Sequence, residues 1–250
     1  MLLMKLQELL TCIFSILFNC EAFSTHSAGL DLTYQCIGSQ QYLVTLKFYR
    51  ACTATGAHAP DGDWALDANT YLNVSSASCG LSASLTLQET ANSGQEITPI
   101  CPGYNTLCNG GTMPGMEEYI YEGIVTLPSQ CSDWKITASI CCRNGSITTV
   151  NNAGNYDICV EAIINNTTAV GCNSSPVFSE KPVPFICANQ TYCYNNGATD
   201  ADGDSLVYNL INPMHSTSSN VPYASGYSAS SPIAGTTTFD PISGNLCMTP

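Results

Sequence analysis

The chain has 250 residues, and 19 Asp and Glu against 6 Lys and Arg leave a formal net charge of −13. Such a charge repels nucleic acid and anionic lipid and argues against both as partners. Charged residues make up 10% of the chain, against about 25% in average soluble domains. Ser, Thr, Asn and Gly supply the polar surface instead, a composition that competes with helical backbone bonds. The 44% hydrophobic content is enough to build a core and argues against disorder.

The N-terminus carries a single basic residue, Lys5, followed by an apolar stretch from Leu9 to Phe18. That stretch is shorter than the about 20 apolar residues a membrane-spanning helix needs. It has the length of a secretory signal core, and Cys20-Glu21-Ala22 puts small residues at the −3 and −1 positions, so residues 1–22 are read as a signal peptide. The rival reading, a lipoprotein signal with Cys20 lipidated, fits poorly because Asn19 precedes the cysteine. No later segment is apolar for long enough to cross a membrane.

Of 15 cysteines, 13 remain after residue 22: Cys36, Cys52, Cys79, Cys101, Cys108, Cys131, Cys141, Cys142, Cys159, Cys172, Cys187, Cys193 and Cys247. No C-x2-C pair recurs and His26, His58 and His215 are scattered, so secreted disulfides explain the cysteines better than zinc. The odd number leaves one thiol free or paired beyond residue 250.

Several segments then alternate with the period of two expected of half-buried strands. Tyr42, Val44, Leu46 and Phe48 share one face, as do Leu81, Ala83, Leu85 and Leu87. Trp134, Ile136, Ala138 and Ile140 form a third row, and Tyr156, Ile158, Val160, Ala162 and Ile164 a fourth. Residues 70–77 and 119–127 are weaker strands. Pro60-Asp61-Gly62, Asn109-Gly110-Gly111, Asn144-Gly145 and Ala153-Gly154-Asn155 are turn-formers between them. The pattern predicts an all-β, disulfide-stapled β-sandwich over residues 24–172.

Cys141 and Cys142 continue the third row, where side chains alternate faces. They are therefore expected to join different partners, Cys142 inward and Cys141 outward. Cys159, also read as outward, is a candidate partner for Cys141.

A second unit, residues 173–250, is expected to start at a linker-like entry, Asn173 to Phe178, and to be cut short at residue 250. Residues 212–235 read as a long exposed loop, and residues 238–246 as a strand, a turn and another strand. Asp200, Asp202 and Asp204 fall on alternate positions of a loop, so three carboxylates can converge on one hard cation. Calcium prefers such oxygen ligands, with Gly203 allowing a tight turn and Asn196 or Asp240 available to complete the shell. An EF-hand is excluded, because Ser205 and Ile211 stand where it needs Gly and Glu. The competing reading is a solvated acidic turn. Asp61 and Asp63 form a weaker pair, read as a turn.

Catalytic patterns are absent: no G-x-S-x-G, H-E-x-x-H or phosphate-binding glycine loop occurs. Cys108-Asn109-Gly110-Gly111 resembles a short piece of papain-like proteases but lacks their nucleophile context, and reads as a disulfide and a turn. Glu117, Glu118 and Glu122 are the residues nearest to a pair of acids for glycoside hydrolysis, and they read as solvated strand ends. Six N-x-S/T sequons occur, at Asn73, Asn144, Asn165, Asn166, Asn173 and Asn189.

Two resemblances add to this reading. Ser175-Pro-Val-Phe178, the loop from Ala198 to Tyr208 and Phe239-Asp-Pro-Ile-Ser-Gly-Asn-Leu246 resemble a cadherin-like or related immunoglobulin-like repeat. That implies tandem sandwiches, though the linker and L-D-R-E motifs of calcium-dependent cadherins are missing. Ala28 to Tyr34, Leu46 to Cys52, Val74 to Cys79, Ile97 to Cys101, Cys141 to Asn144 and Asp202 to Tyr208 resemble the N-terminal part of large secreted Bacteroidota proteins. Those carry a gliding-motility-associated C-terminal domain used for type IX secretion. The resemblance implies a secreted or cell-surface protein outside the outer membrane, with adhesion or gliding as its role.

The expectation is a non-catalytic surface or adhesin-like segment of a larger protein, with a protein or glycan as its ligand. The alternatives are a carbohydrate-binding module, in which exposed Tyr223 and Tyr227 stack on sugars, and an accessory domain of a secreted hydrolase.

Overall fold

The computed structural model describes residues 27–38, 40–52, 69–182 and 185–250. The signal segment, the Cys20 alternative, the turn at Pro60-Asp61-Gly62 and the Asp61 and Asp63 pair lie outside the described residues.

Eight strands form the main body: β1 (Ser27–Gly38), β2 (Gln41–Ala51), β3 (Asn69–Ser76), β4 (Leu81–Glu89), β5 (Gln95–Glu96), β6 (Met116–Thr126), β7 (Trp134–Ile140) and β8 (Ile158–Ile164). They pair in the order β1-β2-β6-β4-β3-β7-β8, with β5 beside β6. The described residues contain no α-helix, only 3-10 turns at Leu107–Asn109 and Ala153–Asn155.

The sheet bends between β6 and β4, whose ladder is limited to Gln88 opposite Glu122 and Glu89 opposite Tyr121. Gly123 sits at the bend, where a side chain would overlap the Thr86 carbonyl. The bend lays β1, β2 and β6 over the remaining strands as a sandwich. On the far side β1 and β8 meet, and the Tyr34 hydroxyl donates to the Ile163 carbonyl at 2.9 Å.

The core fills the space between the layers. Tyr42, Val44, Leu46 and Phe48 of β2 face Trp134, Ile136, Ala138 and Ile140 of β7, all buried. These are the inward rows that the alternation marks. On β4 only Leu85 and Leu87 are buried; Leu81, at the hairpin end, is exposed. On β8, Ile158 and Ile164 are buried, while Val160 and Ala162 are half-buried beside β1. Each such apolar side chain contributes about 1.5–3 kcal/mol by leaving water.

Residues 173–250 are built differently. They hold β9 (Val177–Phe178), β10 (Tyr192–Asn195), β11 (Ala198–Thr199), β12 (Met214–Ser216), β13 (Ser219–Asn220), β14 (Thr236–Phe239) and β15 (Asn245–Thr249). These make one three-stranded sheet, β10-β15-β14, and two two-stranded ladders. Among the described residues of this region, Val221 is the one buried apolar side chain, and it packs with Val150 and Ala153 of the first unit. Among the described residues, the buried apolar side chains form one large cluster between the two layers and a small one at Val150, Ala153 and Val221. The expected strand–turn–strand at residues 238–246 is present as the β14–β15 hairpin. Asp240 holds its turn by accepting from the Ile242 N–H and the Ser243 hydroxyl.

The linker-like entry is not free chain. Ser175 exchanges hydrogen bonds with Tyr34 of β1, N–H to carbonyl at 2.8 Å and hydroxyl from the Tyr34 N–H at 2.8 Å. The Cys36–Cys172 bridge lies beside them. This short strap covers backbone groups on the outer edge of β1, which would otherwise offer a template for pairing.

Candidate functional site

Ten of the 13 described cysteines are paired: Cys36–Cys172, Cys52–Cys108, Cys79–Cys131, Cys141–Cys142 and Cys193–Cys247. Cys101 and Cys187 are free and exposed, and Cys159 is free and buried. Two expectations are corrected here. Cys141 and Cys142 pair with each other rather than with separate partners, and Cys141 does not join Cys159. The alternation argument fails because β7 ends at Ile140, so neither cysteine follows strand geometry. Cys159 does lie on the outer face, opposite Ser139, but this part of the face is covered by the chain around β12. Burial there pushes the Cys159 thiol up.

That cover is a polar seam. Arg143 donates to the Met214 carbonyl at 2.9 Å, and the Asp157 N–H donates to His215 Nδ1 at 2.9 Å. The Tyr156 and His215 rings meet edge to face at 5.3 Å. Residues 212–235 are thus not a loose loop. Tyr223 bridges to Val150, and its carbonyl accepts from Asn151. Tyr223 and Tyr227 are both half-buried, so neither is the exposed platform expected for sugar stacking.

The three loop aspartates are exposed or half-exposed, and Asp200 and Asp202 each commit one oxygen to backbone N–H groups. Asp200 Oδ1 accepts from the Asp202 N–H at 2.9 Å and the Asp204 N–H at 3.2 Å. Asp202 Oδ2 accepts from the Ser174 N–H at 2.6 Å, which ties the loop to the strap. Ligand atoms of three such side chains come within 4.8 Å of one another at Cys52, Cys108 and Glu117 and at Cys141, Cys142 and Asp157. The Asp200, Asp202 and Asp204 carboxylates are not gathered that closely. All three bear on Tyr34, whose hydroxyl is pushed up to about 12, chiefly by burial.

The glutamates are likewise committed. Glu118 is buried on the outer face of β6, where Lys181 reaches it at 2.8 Å and Lys47 at 3.7 Å. Nearby, the Tyr49 hydroxyl donates to Asp31 at 2.7 Å, while burial lifts the Asp31 carboxyl above its ordinary value. Glu117 is buried opposite Arg50 in the β2–β6 ladder and accepts from the Tyr119 hydroxyl. Glu122 is exposed and accepts from Thr45. Glu117 and Glu118 are neighbours on a strand and so point to opposite faces, which is not the facing arrangement of a hydrolytic acid pair.

Sequence reasoning missed a cleft of about 450 Å³ between β3 and β7. These strands pair only along Asn73–Ser76 and Trp134–Thr137, although β7 stays paired to β8 as far as Ile140. Beyond Thr137 they part. Tyr71 and Leu72 line one wall, Ala138 and Ser139 the other, and Leu30 and Leu46 of the facing layer form the floor. Nothing in the periodicity signals the gap, because each strand alone reads as regular.

No family model matches the chain, and searches of curated proteins and of solved structures return no match. No helix of the described residues is long and apolar enough to cross a membrane, which leaves crossing by strands untouched.

Proposed function

We propose that this chain is a non-catalytic, outward-facing β module of a secreted or cell-surface protein, adhesin-like in role. The observation that carries the reading is the set of long cross-links. Four of the five bridges join residues at least 52 positions apart, and bonds of that kind persist in oxidising compartments. The signal-like N-terminus, the net charge of −13 and the commitment of Glu117, Glu118 and Glu122 to structural contacts support it. The resemblance to Bacteroidota surface proteins supports export by type IX secretion as part of a larger protein, with gliding or adhesion as its use.

Calcium at the Asp200–Asp204 loop belongs to the same proposal as a stabiliser. The oxygens left to it are the second oxygen of Asp200 and of Asp202 and the Asp204 carboxylate, beside the bonds that Asp200 Oδ1 and Asp202 Oδ2 already accept. Chelation then lowers the melting temperature of the wild type, and Asp204→Asn, which keeps the Asp202–Ser174 bond, blunts that response. A melting temperature indifferent to chelator removes the metal.

The location is tested by treating intact cells with protease. Digestion of the chain without lysis is the expected result, and protection until lysis opposes the reading. Turnover of any polysaccharide or peptide by the purified chain, abolished by Glu118→Gln, opposes the non-catalytic part.

A further inference from the structure

The geometry points to the β3–β7 cleft as a binding site for a neutral oligosaccharide. This deepens the reading of an outward-facing module and rests on it. The volume, about 450 Å³, lies within the range of small-molecule sites, roughly 300–1,000 Å³.

The chemistry of the lining selects the ligand class. The floor is apolar, from Leu30 and Leu46, with Leu72 adding an apolar wall. The rim carries the Asn73 amide and the hydroxyls of Ser75, Thr137 and Ser139. Tyr71 stands on the rim with 77% of its surface exposed, an aromatic face with no packing role to explain it. The one charged lining residue, Lys135, is neutralised by Glu161 at 3.0 Å.

A purely apolar ligand would leave those rim groups dry and unpaired. An anion would meet no free cation in the cleft and a chain of charge −13. A neutral sugar has both surfaces needed: C–H faces that stack on a phenol ring, and hydroxyls that pair with amides and hydroxyls. Tyr71 is the stacking platform, in place of the half-buried Tyr223 and Tyr227. Thr137, where the strands begin to part, supplies a rim hydroxyl beside the opening.

The test is calorimetric titration of the chain with neutral hexasaccharides of glucose, mannose, xylose and galactose, alongside a hexamer of galacturonate. At least one neutral hexamer binds. Tyr71→Ala weakens that binding by about tenfold or more, as expected for losing an aromatic anchor, without shifting the melting temperature. Thr137→Val, close in volume, weakens it several-fold, and Tyr223→Ala leaves it unchanged.

Failure of every neutral hexamer to bind overturns the inference, as does binding of the galacturonate hexamer alone. Affinity unaltered by Tyr71→Ala overturns it too. Those results leave the surface-module reading standing. Release of new reducing ends from a bound hexamer contradicts the non-catalytic reading while upholding occupancy of the cleft.

Discussion

Residues 27–172 and 173–250 are held together differently. The first region buries a continuous double row of large side chains, including fully buried Trp134, Tyr42 and Tyr121. Among the described residues, the second buries Val221 alone of its apolar side chains and is fixed by attachments: the Ser175–Tyr34 bonds beside the Cys36–Cys172 bridge, the Lys181–Glu118 ion pair and the seam at Arg143 and His215. An all-β chain can thus extend beyond its core by leaning on a finished sandwich. Disulfides and backbone bonds do there what apolar burial does elsewhere.

The largest effect separates the two regions directly. Trp134→Ala removes a fully buried ring and costs about 3–5 kcal/mol, measured by urea unfolding, with loss of structure throughout. Val221→Ala, by contrast, is expected to speed hydrogen exchange around residues 149–156 and 213–224 with little change in the global midpoint. A global midpoint shift from Val221→Ala as large as that from Trp134→Ala would erase the distinction.

Replacing Cys36 and Cys172 together by Ser comes next. The bridge closes a loop with a sequence separation of 136, and its loss is expected to cost roughly 2–5 kcal/mol. Proteolysis near residues 172–178 should become faster while the core remains folded. An unchanged cleavage pattern would show that the Ser175–Tyr34 bonds hold the strap unaided.

The smallest effect is a pH dependence at the β3–β4 turn. The hydroxyl of Ser76, then the hydroxyl and N–H of Ser78, hold the Asp133 carboxyl at about 2, against an ordinary 3.8. A depressed carboxyl stabilises the fold above its unfolded value and loses that contribution as pH falls from about 4 to about 2. Melting temperatures across that window should fall more steeply for the wild type than for Asp133→Asn. Parallel profiles would remove Asp133 from the account.

Much of the sandwich was legible in the sequence because β2 and β7 sit inside the sheet. Each is paired on both sides and buried on one face, so Tyr42 to Phe48 and Trp134 to Ile140 alternate cleanly. Strands with less complete cover blur the signal: Val160 and Ala162 on the outermost strand are half-buried, and Leu81 reaches solvent. The second region was read from short motifs, which found the β14–β15 hairpin through Asp240 and Gly244. Those motifs could not show that Val221 packs against Val150 and Ala153 of the first region. The fate of Cys159 was hidden because β12, some 55 residues later in the chain, covers it. The cleft was hidden for a related reason, since it is a missing ladder between two strands that are regular by themselves.

The most direct test of a rigid, oxidised β scaffold is a disulfide map of the secreted protein. The secreted protein is unfolded in denaturant and alkylated without reduction, then digested and analysed by mass spectrometry. The account predicts peptides linked through Cys36–Cys172, Cys52–Cys108, Cys79–Cys131 and Cys193–Cys247, with alkylated Cys101, Cys159 and Cys187. Full alkylation of all thirteen thiols in the unreduced protein would contradict it.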